Sequence, residues 1–224
     1  GECLLAAARD ITERKQAEDK IKTLLSEKEL LLREVHHRIK NHMSVITGLL
    51  FLQSSALKDP AAIAALEDSR SRVQSMMVLY DKLYRSADFR QIPVKGYLTS
   101  LIDEIVANFP NRQLVTIEKQ IDDFILGTET LSPVGMILNE LLTNAMKHAF
   151  IGREKGVIGV SLSKKETHVT LIIQDNGVGV PGTIAIGAPT GFGMKLIGMF
   201  TAQLNGTIRL ERQNGSTFII EFDA

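Results

Sequence analysis

Apolar positions are sparse and regular at the start of the chain. Between residues 9 and 40 half of the side chains are charged, and apolar ones recur at Ile21, Leu24, Leu25, Leu31, Leu32, Val35 and Ile39. Glu18/Lys22, Glu29/Arg33 and Glu34/Arg38 stand in the acid-before-base i,i+4 order that supports a helix. No Gly or Pro occurs from Glu2 to Thr47. The pattern predicts one helix from about Arg9 to about Ser54, with the narrow apolar seam of a coiled coil or bundle. The seam grows richer beyond Val35, through Met43, Val45, Ile46, Leu49, Leu50 and Leu52, which sets it apart from an isolated charged helix. Asp59-Pro60 is a helix start, a cap followed by proline at the first helical position. The second helix carries Ile63, Leu66, Val73, Met76, Met77, Tyr80, Leu83 and Tyr84 at helical spacing. One helical hairpin cannot bury both its faces, whereas two hairpins paired as a four-helix bundle can. A homodimer through the hairpin is therefore expected.

The pattern changes after a linker around Gln91-Ile92-Pro93, so a domain boundary is expected near residues 88–93. A helix over about Val94 to Asn108 precedes a strand-like run, Val115–Ile121. Ser132-Pro133 reads as the start of a helix that ends near Gly152. Val157–Leu162, Val169–Asp175, Thr207–Leu210 and Thr217–Phe222 read as strands, with Asn214-Gly215 as the hairpin turn between the last two. A helix over about Phe192 to Leu204 precedes that hairpin. The second part is thus a mixed α+β layer.

Composition narrows the class. With 44% hydrophobic and 23% charged residues, the 224-residue chain is no disordered polymer. Its 26 basic and 26 acidic side chains cancel, which argues against a dedicated nucleic-acid binder. Cys3, the only cysteine, can make neither an internal disulfide nor a thiolate zinc site. The longest nearly apolar stretch, Val45 to Leu52, is far short of the ~18 residues of a membrane span. The first ten residues do not read as a signal peptide. A soluble, cytoplasmic chain with no membrane segment is expected. It begins with Gly rather than Met, as a piece of something longer would.

Candidate chemistry starts with the histidines of EVHHRIKNH. On a helical wheel with Val35 at zero, the apolar centre falls near 40°. His42, at about 340°, is expected inside, and His36, at about 100°, on the flank. His37, at about 200°, lies on the outer face, best placed to meet something from outside. A carboxylate one turn earlier, Glu34, could hold one ring nitrogen and leave the other as a nucleophile. On these residues alone an ordinary solvated histidine is the commoner case. In the helix PVGMILNELLTNAMKHAF, Glu140, Asn144, Lys147 and His148 form a polar stripe. It either faces water or lines a site where the Asn144 oxygen suits Mg²⁺ and Lys147 meets a phosphate. In IIQDNGVGVPG, Asp175 closes an apolar strand and Gly177, Gly179 and Gly182 follow. Gly177 to Gly182 match GxGxxG, but no helix follows them, so the dinucleotide-binding reading fails. Asp175 at a strand end, beside a backbone that a ligand can approach, is a good acceptor for a purine amine. Gly191 and Gly193 open the next helix, a natural anion site, and the small-residue stretch PGTIAIGAPT before them reads as a lid. Thr217, in the last strand, is either structural or a ligand contact.

The order ELLTNAMKH, DNGVG, GFGMKLI, GSTF resembles the ATP-binding domain of sensor histidine kinases, the Bergerat fold. Upstream, EVHHRIKNHMSVI resembles the dimerisation and phosphoacceptor segment of the H-R-x-K-N subfamily, related to the HWE kinases. LLAAARDITERKQAE resembles the tail of a PAS sensor domain and its exit helix. The resemblance implies an α+β chain: residues 1–20 the end of a sensor domain and a linker helix, 21–90 a dimerisation and histidine-phosphotransfer hairpin, and 91–224 an α/β sandwich ATP-binding domain. It implies His37 as phosphoacceptor, Asn144 as Mg²⁺ ligand, and Glu140 as a group that orients the γ-phosphate or acts as base. Lys147 and His148 match positions near phosphate and ribose. Asp175 matches the acceptor of the adenine amine, and Thr217 a threonine near that pocket. Gly177, Gly179, Gly191 and Gly193 match the glycine boxes flanking the lid. Arg38 stands where commoner histidine kinases carry an acid, leaving Glu34, Asn41 and Glu140 as candidate orienting groups.

The expected function is ATP-dependent autophosphorylation of His37, with transfer to an aspartate of a response-regulator receiver domain. A sensor upstream in the same chain would regulate it by rotating or bending the helix over residues 9–40. Two alternatives are a degenerate nucleotide-binding scaffold and a Bergerat-fold ATPase that moves or clamps another protein.

Overall fold

The computed structural model describes residues 2–85, 91–182 and 192–224. They divide into two compact units, residues 1–73 and 74–224.

The first unit holds helix α1 (Glu2–Ala56) and the first half of α2 (Pro60–Arg85). At ~1.5 Å per residue the unbroken 55-residue α1 is about 80 Å long. The turn between the helices is set locally. Asp59 caps α2: its Oδ1 accepts the Ala61 N–H at 3.0 Å and its carbonyl the Ile63 N–H at 3.0 Å. The hairpin is then pinned just past the turn. Ser54 Oγ donates to Glu67 Oε1 at 2.9 Å, Arg70 Nε donates to Glu67 Oε2 at 3.0 Å, and the Arg70 guanidinium lies 5.6 Å above the Phe51 ring. Hydrogen bonds from Arg70 and Ser54 hold the Glu67 carboxyl below its ordinary pKa. Along α1, Leu31, Val35, Val45, Ile46, Leu49 and Leu52 are exposed, an apolar seam that the described residues leave open.

The second unit is a five-stranded sheet covered on one face by helices. Its strands are β2 (Val115–Ile121), β4 (Gly156–Lys165), β5 (His168–Asp175), β6 (Thr207–Glu211) and β7 (Ser216–Asp223), in spatial order β2-β4-β5-β7-β6. Only β2 and β4 are parallel, joined by a crossover through helix α4 (Thr128–Asn144). The other neighbours are antiparallel. Burial alternates with the strand period, so Ile158, Val160 and Leu162 of β4 face the helices with Val169, Leu171 and Ile173 of β5. Helix α3 (Val94–Ala107), α4 and α5 (Phe192–Gln203) supply the other half of the core. Leu79 and Leu83, near the end of α2, are buried in this core.

Three local features depart from the sequence expectation. Helix α4 begins at Thr128, with Pro133 inside it, because Gly127 and not Ser132 takes the capping position. The first turn is closed by the Thr130 and Leu131 N–H groups on the Gly127 carbonyl, at 3.2 and 3.0 Å. The helix does not run on to Gly152 either: after Asn144 it widens into a π-helical turn, Ala145–Ala149. Finally, the linker residues Ile92–Pro93 form strand β1, which pairs with β3 (Ile125–Leu126).

No helix among the described residues is long and apolar enough to cross a membrane.

Candidate active site

Helix α1 presents its histidines only partly as the wheel expects. His37 is exposed, as expected. His42 is exposed too, because the seam beside it, Val45, Ile46 and Leu49, is left open by the described residues. His36 is the half-buried one: its Nε2 is closed off from solvent, and burial lowers its pKa and favours the neutral ring. Glu34 is not held for His37. Its Oε1 accepts Arg38 Nε at 3.1 Å and Arg38 Nη2 at 3.0 Å, the i,i+4 partner outcompeting the histidine one residue nearer. Both partners are largely exposed, so the pair adds little stability.

In the second unit the polar stripe Glu140, Asn144, Lys147 and His148 divides: its first part is turned inward and its end faces water. Glu140 is only 4% exposed and Asn139 5%; Asn144 is half-buried. Lys147 and His148 follow in the π turn and are exposed. The π turn widens the helix by one residue, so these two leave the straight α-helical row assumed from their spacing. An amide oxygen at Asn144 is a hard donor of the kind Mg²⁺ takes, and Mg²⁺ is ordinarily held by one or two protein groups plus phosphate. The residues fit that mode. Among the described residues no group of three or more His, Cys, Asp and Glu side chains is placed to hold a metal unaided.

The end of β5 meets this turn. Asp175 is 7% exposed, and its Oδ1 accepts the Gly177 N–H at 2.8 Å. Burial pushes its pKa up, against the pull of hydrogen bonds from Gly177 and Ser216 and of the Arg153 charge. The loop after it docks on the π turn: Val178 N donates to the Ala149 carbonyl at 2.9 Å, and a Cβ on Gly177 would collide with that carbonyl. Arg153 Nη1 donates to the Asn176 carbonyl at 2.5 Å, and Asn176 Oδ1 accepts the Val157 N–H at 2.8 Å. The structure therefore brings the π turn, with Lys147 and His148, against the loop that carries Asp175, Gly177 and Gly179. Gly179 has φ +80°, a glycine conformation. Gly193 is buried in the first turn of α5. Gly191 and the lid residues 183–190 lie outside the described residues.

Thr217 is not brought to Asp175. The β5–β7 register pairs Asp175 with Ser216 and Gln174 with Thr217, and strand alternation puts Thr217 on the opposite sheet face. Ser216 takes the inner place, buried, bonded to the Asp175 carboxylate and accepting the Val180 N–H on its Oγ at 3.0 Å. The signal was available: Phe218, Ile220 and Phe222 share the parity of Ser216 and are buried with it. The turn before Ser216 is equally constrained. Gly215 has φ +117°, and a Cβ there would collide with the Asp175 carbonyl. Gly215→Ala is expected to cost at least about 2 kcal/mol of stability. Thermal unfolding followed by circular dichroism checks this; an unchanged Tm would show that the turn yields.

Comparison with known proteins resolves what such a pair of units belongs to. Residues 34–109 match the family model described as histidine kinase, and residues 131–224 the one described as histidine kinase-, DNA gyrase B-, and HSP90-like ATPase. The chain belongs to the histidine kinases. The sensor histidine kinase PdtaS of Mycolicibacterium smegmatis is 27% identical over 219 residues, 95% of this chain and 42% of that protein. The blue-light-activated histidine kinase 2 of Erythrobacter litoralis is 27% identical over 196 residues, 84% of this chain and 55% of that protein. The chain thus spans about half the length of these curated relatives. The solved histidine kinase domain of an Erythrobacter litoralis blue-light activated histidine kinase shares the fold, with a TM-score of 0.60 at 20% identity over 80% of this chain and 95% of that one. The histidine-kinase match takes in His37, and the ATPase match takes in Glu140, Asn144, Asp175 and Ser216.

Proposed function

We propose that this histidine kinase chain is the catalytic core of a two-component sensor: it binds ATP in residues 91–224 and transfers the γ-phosphoryl group to His37. The observation that carries this reading is the pairing, in one chain, of an exposed His37 within the histidine-kinase match and a buried, aligned Asp175 within the ATPase match. As a carboxylate, Asp175 accepts the adenine amine and selects the base, and Ser216 and the Gly177 N–H keep its oxygens in place. Lys147 and His148 contact the phosphates and ribose. Gly177, Gly179, Gly191 and Gly193 let the backbone approach them. Asn144 would hold Mg²⁺, which when bound neutralises charge on the phosphate oxygens. Glu140 sits one turn before Asn144 and orients the reacting end.

In the transfer, the lone pair of an imidazole nitrogen of His37 attacks the γ-phosphorus. The N–P bond forms as the bond to the bridging oxygen breaks, and ADP leaves with that electron pair. Catalysis is mostly positioning and charge neutralisation. The phosphoryl group then passes to a carboxylate oxygen of an aspartate on a response-regulator receiver domain. The uncovered seam of α1 pairs with a second copy to form a four-helix bundle. In this reading residues 1–20 are the end of a sensor domain and its linker helix, and the core works in the cytoplasm, where ATP is supplied.

The test is incubation of the full 224-residue chain with Mg²⁺ and γ-labelled ATP. Protein-bound label that is acid-labile and base-stable is expected. ATP hydrolysis with no protein-bound label, or label that survives acid, would overturn the reading.

A further inference from the structure

Two of the candidate nucleotide contacts, Lys147 and His148, ride on the π turn, so whatever aims that turn aims them. A helix leaves its last carbonyls without partners further along the helix, and a widened final turn must find donors elsewhere. Two such donors are present, one on each side of Lys147 and His148. Ala149 O accepts the Val178 N–H at 2.9 Å, from the loop after β5. Met146 O accepts Asn111 Nδ2, also at 2.9 Å, from 35 residues earlier in the chain.

Asn111 is itself well anchored. It opens the 3-10 turn Arg112–Leu114 that leads into β2, and its carbonyl accepts the Leu114 N–H at 3.0 Å. Its side chain is partly buried at the bond, and the Met146 side chain beside that carbonyl is buried. The π turn is thus tied to the approach to β2 at one carbonyl and to the β5 loop at another. Asn111 lies between the two matched segments, residues 34–109 and 131–224, so neither family match reaches it.

We propose that Asn111 is a positioning residue for the phosphate side of the nucleotide site. By donating to the Met146 carbonyl it fixes the direction in which the π turn presents Lys147 and His148. The inference rests on the nucleotide-binding reading above and adds to it a residue that never touches the ligand. An Asn111→Asp variant keeps the size but turns a donor into an acceptor facing a carbonyl. An Asn111→Gln variant keeps the donor on a longer arm. Loss of the bond removes the tie between Met146 O and the approach to β2 and frees the turn to rotate.

The experiment is a nuclear magnetic resonance titration of the full chain and both variants with ATP, ADP and adenine, beside their Tm values. With Asn111→Asp, ATP and ADP are expected to bind about tenfold more weakly. Adenine, which has neither ribose nor phosphate and reports only the Asp175 side, should bind as before, and Asn111→Gln should recover most of the loss. ATP binding unchanged in Asn111→Asp would overturn the inference and leave the kinase reading standing. An equal loss for all three ligands together with a large fall in Tm would show a merely structural role, and also overturns it. If the unaltered chain binds none of the three, the nucleotide reading itself fails and this inference with it.

Discussion

Replacing His37 by Gln is expected to reduce phosphoryl label to background while leaving ATP affinity unchanged. Glutamine is close to histidine in size, but its amide nitrogen has no lone pair to offer, so the nucleophile is gone. His37 is exposed on α1, and a substitution there should move stability by no more than about 0.5 kcal/mol. Loss of label therefore cannot be charged to unfolding. The neighbour supplies the control. His36 has its Nε2 closed off from solvent, so His36→Gln should keep most of the label. Label surviving in His37→Gln but lost in His36→Gln would move the acceptor one residue along, despite the burial. Because Glu34 is engaged by Arg38, Glu34→Gln should change the rate far less than His37→Gln does.

The second large effect is expected at Asp175, and its two parts point in opposite directions. Asp175→Asn should weaken ATP binding by about 100-fold, since the amide presents a donor where the adenine amine needs a charged acceptor. The same change should raise the Tm of the nucleotide-free chain at neutral pH. Burial raises the Asp175 pKa in the folded state above its unfolded value, so the folded protein holds that proton more tightly. As pH rises from the ordinary aspartate range through the raised pKa, the unfolded chain loses its proton first. Folding stability falls over that window and stays lowered above it. Asparagine carries no charge to desolvate, so the penalty disappears. In the unaltered chain ATP affinity should fall as pH drops through the raised pKa, at a higher pH than an ordinary carboxylate would show. Calorimetric Tm values and nucleotide titrations of both proteins at several pH values check both parts. A Tm that drops in Asp175→Asn would mean that the hydrogen bonds from Gly177 and Ser216 outweigh the cost of burying the charge.

The legible part of the site is the part whose residues are close in sequence. Asp175 and Gly177 stand two apart, and one N–H joins them. Asn144, Lys147 and His148 share one helix end in any fold. Ser216 was legible from strand parity, whereas Thr217 was singled out through the family resemblance; the register with β5 sets Ser216, not Thr217, opposite Asp175. Asn111 was not legible at all. Nothing near it in sequence points to Met146, and an asparagine before a strand is an ordinary turn residue.

What the sequence determined by itself is what short-range forces determine. The i,i+4 pairs and unbroken pattern specify α1, the Asp59 cap starts α2, strand periodicity places β2, β4, β5 and β7, and Asn214-Gly215 turns the last hairpin because both residues adopt positive φ. Tertiary structure decided the features whose bonds close over long sequence distances. The pairing of β1 with β3 joins segments some thirty residues apart, each two residues long and too short to show a period. The early start of α4, carrying Pro133 inside it, follows from burial of Leu131 and Val134 in a core assembled from distant elements. The π turn is held from outside, by Asn111 and Val178, since backbone groups at a helix end must pair with whatever the fold brings near them.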